Sequence, residues 1–172
     1  MKLEDSIKQK KFKSEYEKLA INILYSSSWL SQLHVEVLKP YNISWQQFNI
    51  LRILRGMNPE PATVKLLTER MIDKMSNASR LVEKLKQKGL VERRSCANDR
   101  RRVDIGITQA GLQLINEASK HMEEGLHKYL KSLEVSEASE LNELLDKMRG
   151  WYFFEKIDVY TSNVWTFVVW LC

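Results

Sequence analysis

The spacing of apolar residues changes at Gly89, and this change constrains the fold more than any other feature of the sequence. Before Gly89, apolar residues recur at i, i+3, i+4 and i+7, the spacing of a helix; they are Ala78, Leu81, Val82 and Leu85. After it, residues 90–94 and 102–107 have the composition of strands, and the second segment alternates apolar with polar or small residues. Residues 95–99 between them are turn-forming. We therefore predict a helix, a left-handed C-cap at Gly89 and a two-stranded hairpin.

A shorter helix precedes this one. Thr63 is predicted to cap a helix that reaches Met71. After a break at residues 72–75, the longer helix is expected to start near Met75 and to run through Lys88. Helix, tight turn, helix and hairpin form a winged helix-turn-helix, whose second helix enters the major groove of double-stranded DNA. The sequence therefore predicts a DNA-binding region.

Long helices are predicted on both sides of this region. From Phe12 to Leu38 the apolar residues keep helical spacing for about seven turns, and the pattern stops before Pro40. We interpret this helix as a dimer contact; a single long core helix is the alternative. Residues 44–47 have the form of a capping box, and Thr108 is predicted to cap a further long helix.

We therefore predict a fold that is mainly α with a small β-wing. The chain contains six glycines and three prolines, which is too few for a chain rich in turns. We divide the chain into four parts: an N-terminal dimerisation helix (1–42), a winged helix-turn-helix DNA-binding region (43–108), C-terminal dimerisation helices (109–150) and an apolar tail (151–172). The tail either covers a dimer core, which we favour, or is a cloning remnant.

Positive charge is concentrated in one segment. The whole chain carries a formal net charge of +5. Residues 84–102 contain eight Lys or Arg residues and two acids, a surplus of six, so the remainder of the chain is slightly acidic. A field of this kind favours an anionic partner such as DNA.

The predicted base-reading side chains lie opposite the apolar stripe of the longer helix: Ser76, Asn77, Ser79, Arg80 and Lys84. Serine and asparagine hydrogen-bond to base edges, and arginine forks onto guanine. Ser76 and Ser79 have an alternative role, in which they only cap and solvate the helix. Thr63, Lys74 and Arg94 complete the DNA-binding residues that we predict outside the wing tip.

The predicted wing tip is residues 98–102, with Arg100, Arg101 and Arg102 as its cations. A guanidinium on a narrow turn enters the minor groove, where negative potential is focused. Asp99 is interpreted as a brace that pairs with a neighbouring arginine and fixes its direction. A plain solvated charge run is the alternative.

Residues 63–111 resemble the MarR family of bacterial transcriptional regulators. The matching pieces are residues 79–82, residues 85–91, residues 99–101 and the Thr108-x-x-Gly111 pair. The resemblance extends over about residues 12–150 and implies a homodimer, Arg101 as the wing-tip arginine, Asp99 as its acidic neighbour and base reading by the helix that starts near Met75. Met75, Asn77 and Ala78 depart from the residues usual in the family, which leaves the operator sequence open.

The resemblance also suggests a small, often aromatic, effector between the dimer and DNA-binding parts. Trp29, His34, Trp45 and Phe48 are candidates to line its pocket, and core packing is their alternative role. We therefore predict a repressor that binds a palindromic operator as a homodimer and is released by a ligand. A winged helix used for protein contact and a DNA binder without ligand control are the alternatives.

Catalysis, metal binding and cofactors are not predicted, because the sequence contains no phosphate loop, nucleophile elbow or paired catalytic set. The two cysteines lack metal or redox spacing, and Cys96, although it lies among arginines, is interpreted as an inert exposed thiol. No secretory signal or membrane span is expected, so the predicted location is the bacterial cytoplasm, in association with the nucleoid.

Overall fold

The computed structural model describes residues 2–96 and 99–150, with the backbone alone at residues 95–96 and 99–102. The elements follow in the order α1 (Leu3–Ile7), α2 (Glu15–Leu38), a 3₁₀ turn (Lys39–Tyr41), α3 (Trp45–Met57), α4 (Val64–Arg70), α5 (Ala78–Gln87), β1 (Val91–Cys96), β2 (Asp99–Ile107) and α6 (Gln109–Leu130). Residues 135–150 are also helical and form α7. The mainly α fold class with a small β-wing is confirmed.

The helices begin where side-chain oxygens satisfy free amide groups. Ser14 accepts a bond of 3.1 Å from the Glu17 amide at the start of α2. At the start of α3, Ser44 and Gln47 form the predicted capping box, with reciprocal bonds of 3.3 and 3.0 Å. Thr63 caps α4 as predicted, by accepting from the Leu66 amide at 3.2 Å.

The two strands form an antiparallel hairpin in which Val91 pairs with Ile107 and Arg93 with Ile105. Backbone bonds of 2.9 and 2.8 Å between Ala62 and Ile105 attach the chain, two residues before α4, to the outer edge of β2. The hairpin is therefore connected to the helix-turn-helix by backbone hydrogen bonds as well as by the chain itself.

One core unites helices α2 to α6 and the hairpin, with α3 at its centre. Helix α3 packs against α2, α4, α5 and β2. The core side chains that are excluded from solvent include Ile50, Leu51, Leu54, Leu67, Val82, Leu85, Ile105 and Ile115. This shared core holds α5 and the hairpin in a fixed relation.

The chain passes from α5 to the hairpin and on to α6 through one tight junction. Gly89 adopts φ +70°, the left-handed C-cap that we predicted. The Thr108 hydroxyl donates to the Gly89 carbonyl at 2.7 Å and accepts from the Gly111 amide at 3.0 Å, so Thr108 caps α6 as predicted. A Cβ on Gly111 would lie 2.1 Å from the Leu90 carbonyl oxygen, so only glycine fits there.

Helix α2 is long and mostly uncovered by its own chain. Of its 24 residues, Leu33 and Leu38 are the buried ones. Near its C-terminal end it approaches α6 closely, since a Cβ on Gly125 would lie 2.9 Å from Leu33 Cδ1. Its exposed apolar side chains include Tyr16, Leu19, Leu24, Tyr25 and Val35.

Two compact units make up the chain, Met1–His127 and Lys128–Cys172. In the second unit, the described helix α7 exposes Leu141, Leu144 and Met148. The predicted role of the tail, residues 151–172, falls outside the described residues.

The predicted start of the longer helix was wrong by three residues. Helix α5 begins at Ala78 with Asn77 as its N-cap, whereas we had placed its start near Met75. Residues 73–76 instead form a hydrogen-bonded turn around Asp73, because an aspartate side chain competes for the amide groups that follow it.

Candidate nucleic-acid interface

Helix α5 has the two faces that DNA reading requires. Ala78, Val82 and Leu85 are buried against the core. Ser79, Arg80 and Lys84 are exposed on the other side, as the sequence predicted. The exposed face therefore carries short polar and cationic groups, which suit contacts to base edges and phosphates.

Asn77 is the N-cap of α5. Its Oδ1 accepts a bond of 3.0 Å from the Arg80 amide, so the side chain is the N-cap rather than a residue of the helix face. The cap uses the carbonyl oxygen of the side chain, and a primary amide also carries two N–H donors. Asn77 is exposed, and it lies at the end of the helix that approaches DNA in this class of domain.

Asp73 organises the turn before α5, and sequence reasoning missed it. Its Oδ1 accepts from the Met75 amide at 3.0 Å, and its Oδ2 accepts from the Ser76 hydroxyl at 2.6 Å. The bond from Ser76, followed by that from the Met75 amide and with a further contribution from Gln46, lowers the pKa of the Asp73 carboxyl. The signal was an aspartate two residues before a turn amide, the pattern of an Asx turn.

Ser76 and Lys74 are thus partly occupied by contacts within the protein. The Ser76 hydroxyl donates to Asp73, and the Lys74 ammonium donates to the Glu69 carbonyl. Both residues stay predicted DNA contacts, as does Thr63, whose hydroxyl caps α4.

Arg93 joins the hairpin to α5 and was also missed. Its Nη1 lies 3.0 Å from Glu83 Oε2, and its Nη2 donates to the Ser79 carbonyl at 3.5 Å. Strand alternation explains this placement, because Arg93 shares a sheet face with buried Val91 and is paired with buried Ile105. The alternation in residues 91–94 was the available signal.

Arg94, which we predicted to bind DNA, lies on the opposite sheet face. It forms an ion pair of 2.5 Å with Glu92, and its side chain is largely exposed. Its charge is therefore available to solvent and to a phosphate, although Glu92 partly neutralises it.

The wing tip lies where the hairpin turns. Cys96 pairs with Asp99, and the register is irregular next to Ser95. Asp99, Arg100, Arg101 and Arg102 belong to β2, but their side chains fall outside the part of the chain that the structure describes in full. The brace at Asp99 and the minor-groove contacts of the three arginines therefore stay predictions.

A cleft of about 760 Å³ lies between α2, α3 and α5. His34 and Trp45, two of the four predicted pocket residues, line it and stack with ring centroids 3.9 Å apart. Burial lowers the pKa of His34, which favours its neutral form in this stack. Lys84 and Lys88 line the side of the cleft that belongs to α5 and its C-cap.

The structure does not bring all four predicted pocket residues to this cleft. Phe48 stacks on Trp45 with centroids 5.6 Å apart, but it belongs to the buried core. Trp29 lines a separate cavity of about 360 Å³ with Leu3 and Tyr25. Trp29 and His34 are five residues apart on α2, which places them about 140° apart around the helix, so they contact different neighbours.

Residues 2–96 and 99–150 contain neither a cluster of metal ligands nor a helix that could span a membrane. In that part of the chain, no group of three His, Cys, Asp or Glu side chains is placed to hold a metal ion. None of its helices has the length and apolar character that crossing a bilayer requires.

Known proteins are similar to this chain in sequence and in fold. The model of the MarR family matches residues 41–102. Transcriptional repressor MprA of Escherichia coli (strain K12) is 24% identical over 125 residues, which are 73% of this chain and 71% of that protein.

Solved structures are similar over most of the chain. An organohalide-sensing transcriptional regulator in its 2,4-dichlorophenol-bound form has a TM-score of 0.74 and 20% identity, covering 83% of this chain and 86% of its own. A mutant of MarR from Escherichia coli complexed with operator DNA has a TM-score of 0.69 and 24% identity, covering 81% of this chain and 99% of its own. These similarities establish the winged-helix fold.

Proposed function

We propose that this chain is a transcriptional regulator of the MarR family, whose model matches residues 41–102. In this role it represses transcription by binding a palindromic operator as a homodimer, and its similarity to a transcriptional repressor supports the proposal. The observation that carries this proposal is the contact of Arg93 with Glu83 and the Ser79 carbonyl. Through it, the polar face of α5 and the basic hairpin are presented to DNA as one surface. We refer to α5 as the recognition helix and to the β1–β2 hairpin as the wing.

The charges around this surface suit a DNA duplex. Arg80 and Lys84 are exposed on the recognition helix, and Arg94 is exposed on the wing. The three arginines of residues 100–102 add to this field. Cations at these positions release counterions from phosphates, which gives the main part of the affinity, while side chains at the start of the recognition helix read bases.

The dimer is supported by apolar surface that one protomer leaves exposed. Tyr16, Leu24 and Val35 of α2 are exposed by more than two thirds of their surface, at 84%, 70% and 69%. Helix α7 also exposes Leu141, Leu144 and Met148. Apolar surface of this extent on long helices is typical of a subunit contact. A two-fold dimer places two recognition helices about 34 Å apart, one turn of DNA, which requires a palindromic operator.

Ligand release is supported by the cleft lined by His34 and Trp45. Its walls come from α2, which we place in the dimer contact, and from the recognition helix through Lys84. A small aromatic anion would lie beside the His34–Trp45 stack and face the ammonium of Lys84. If it binds better to a different spacing of the two recognition helices, it shifts the population away from the DNA-bound form. The chemistry of sensing is therefore binding rather than catalysis, and the proposed place of action is the bacterial nucleoid.

Selection of bound duplexes from a random pool tests this function. We expect a palindrome whose half-sites are separated by one helical turn, and a protein that sediments as a dimer. Repeating the selection with small aromatic carboxylates and phenols tests the release. Recovery of asymmetric sequences by a monomer would contradict the proposal, and a palindrome retained with every ligand would limit it to DNA binding.

A further inference from the structure

Met75 is the most exposed of the large apolar side chains that the structure describes, at 94%. It lies in the turn immediately before the recognition helix, two residues from its N-cap. Ile72, which directly precedes this turn, is 62% exposed. Single exposed apolar residues are ordinary on protein surfaces, so exposure alone assigns no function to Met75.

The turn that carries Met75 is held in place by side-chain hydrogen bonds. Asp73 accepts from the Met75 amide at 3.0 Å and from the Ser76 hydroxyl at 2.6 Å. Ser76 also donates its amide to the Asp73 carbonyl at 3.4 Å. The Met75 backbone is therefore fixed relative to the start of the recognition helix, and the side chain extends from an ordered position.

The side chains next to Met75 are bonded within the protein, so the Met75 side chain is the group of this turn that is free to make an apolar contact. The Lys74 ammonium turns back to the Glu69 carbonyl, and the Ser76 hydroxyl turns back to Asp73. Asn77 presents its amide on the next residue but one. The turn before the recognition helix thus carries one exposed, flexible thioether. The polar side chains beside it make contacts within the protein or carry hydrogen-bond donors.

We propose that Met75 is a specificity-determining residue that packs on the 5-methyl group of a thymine in each operator half-site. The thymine methyl is the apolar group that the major groove displays, whereas cytosine offers an amino donor at the corresponding edge. A methionine side chain gains by covering that methyl and loses when it covers an amino group without bonding to it. The proposal rests on the proposed function, since it names the base that the same surface reads.

Uracil substitution tests this contact, because deoxyuridine lacks the methyl and keeps the base pair. The probes are variants of the duplex recovered by selection. In each variant, one thymine position is replaced by uracil at the equivalent place in both half-sites. For the wild-type protein we expect one position at which the replacement raises Kd by about fourfold per half-site, the effect of one buried methyl group. For Met75→Ala, Kd with thymine and with uracil at that position should be equal.

Lys74→Ala is the matched control, since it alters the adjacent residue and should retain the discrimination between thymine and uracil. Met75→Ala should keep the wild-type melting temperature, because the side chain makes little contact within its own chain. A uracil penalty that is the same in wild type and Met75→Ala at every position would overturn the inference and leave the proposed function intact. A protein that selects no duplex would overturn both.

Discussion

Arg93 of the wing and Glu83 of the recognition helix form an ion pair with 3.0 Å between Nη1 and Oε2. The same guanidinium donates to the Ser79 carbonyl, one turn before Glu83. The wing and the recognition helix are therefore joined by one side chain. We therefore expect Arg93 to affect DNA binding through the orientation of the wing, unlike the residues that we propose contact phosphates.

Replacing Arg93 with Ala should weaken operator binding without changing the salt dependence of Kd, because the residue positions the wing and contacts no phosphate. Arg94→Ala is the matched control and should reduce the salt slope by about one. A double-mutant cycle with Glu83→Ala should give a coupling of about 0.5–1 kcal/mol in the free energy of unfolding, since the pair is partly exposed. A reduced salt slope for Arg93→Ala would identify it as a phosphate contact instead.

Asn77→Ser separates the cap from the base contact. Serine caps a helix about as well as asparagine, so the free energy of unfolding should change by less than about 0.5 kcal/mol. Serine lacks the two amide donors, so the preferred bases at one position of each half-site should change in a repeated selection. Unchanged base preference together with a lower salt slope would assign Asn77 to a phosphate.

Arg101→Ala should weaken operator binding by about tenfold or more at moderate salt, if this side chain enters the minor groove as predicted. Arg149→Ala removes the same charge from α7 and serves as the control. Titration of both variants with the selected duplex gives the comparison. Equal affinities for Arg101→Ala and wild type would contradict the wing-tip assignment.

Asp73 makes the stability of the reading surface sensitive to acid. The hydrogen bond from Ser76 and then the Met75 amide lower its folded-state pKa below the ordinary value of 3.8. Its contribution to stability is therefore fully present above pH 3.8 and is lost as the pH falls through the lower, folded-state pKa. The difference in unfolding free energy between wild type and Asp73→Asn should therefore shrink as the pH falls below 3.8 and through the folded-state pKa. A difference that is constant down to acid pH would show that the carboxylate is not the stabilising form.

Gly111→Ala should destabilise the fold by about 2–4 kcal/mol, because the added Cβ would lie 2.1 Å from the Leu90 carbonyl oxygen. Gly56→Ala is the matched control: the residue is in α3 and an added Cβ has nothing within 4 Å. That change should stabilise the protein by about 0.5–1 kcal/mol, the difference in helix propensity. Denaturant unfolding measures both, and equal effects would contradict the tight junction.

Local signals predicted the elements well. The capping box at residues 44–47, the cap at Thr63 and the glycine at position 89 each depend on a few neighbouring residues, and the structure has them in place. The start of α5 was placed too early because apolar spacing identifies a helix but not its first residue. Residues 75 and 76 belong to the turn before the helix, since the Asp73 carboxylate accepts from the Met75 amide and the Ser76 hydroxyl.

The contacts of the site were harder to predict than its elements. We identified the basic character of the wing from composition, but composition does not distinguish Arg93 from Arg94. The pairing register does, since it places Arg93 beside Ile105 and Arg94 beside Asp104. The pocket residues depended on tertiary packing in the same way, and only His34 and Trp45 of the four predicted residues line the cleft beside α5.

Helix α2 buries only Leu33 and Leu38 within its own chain. In the proposed dimer, the rest of its support comes from the other protomer, so folding and assembly are linked by mass action. Dilution then lowers the melting temperature as well as the fraction of dimer. In a cell that makes few copies of such a protein, part of it would be monomeric, and two recognition helices would then have no fixed spacing. Repression would therefore fall more steeply than the copy number.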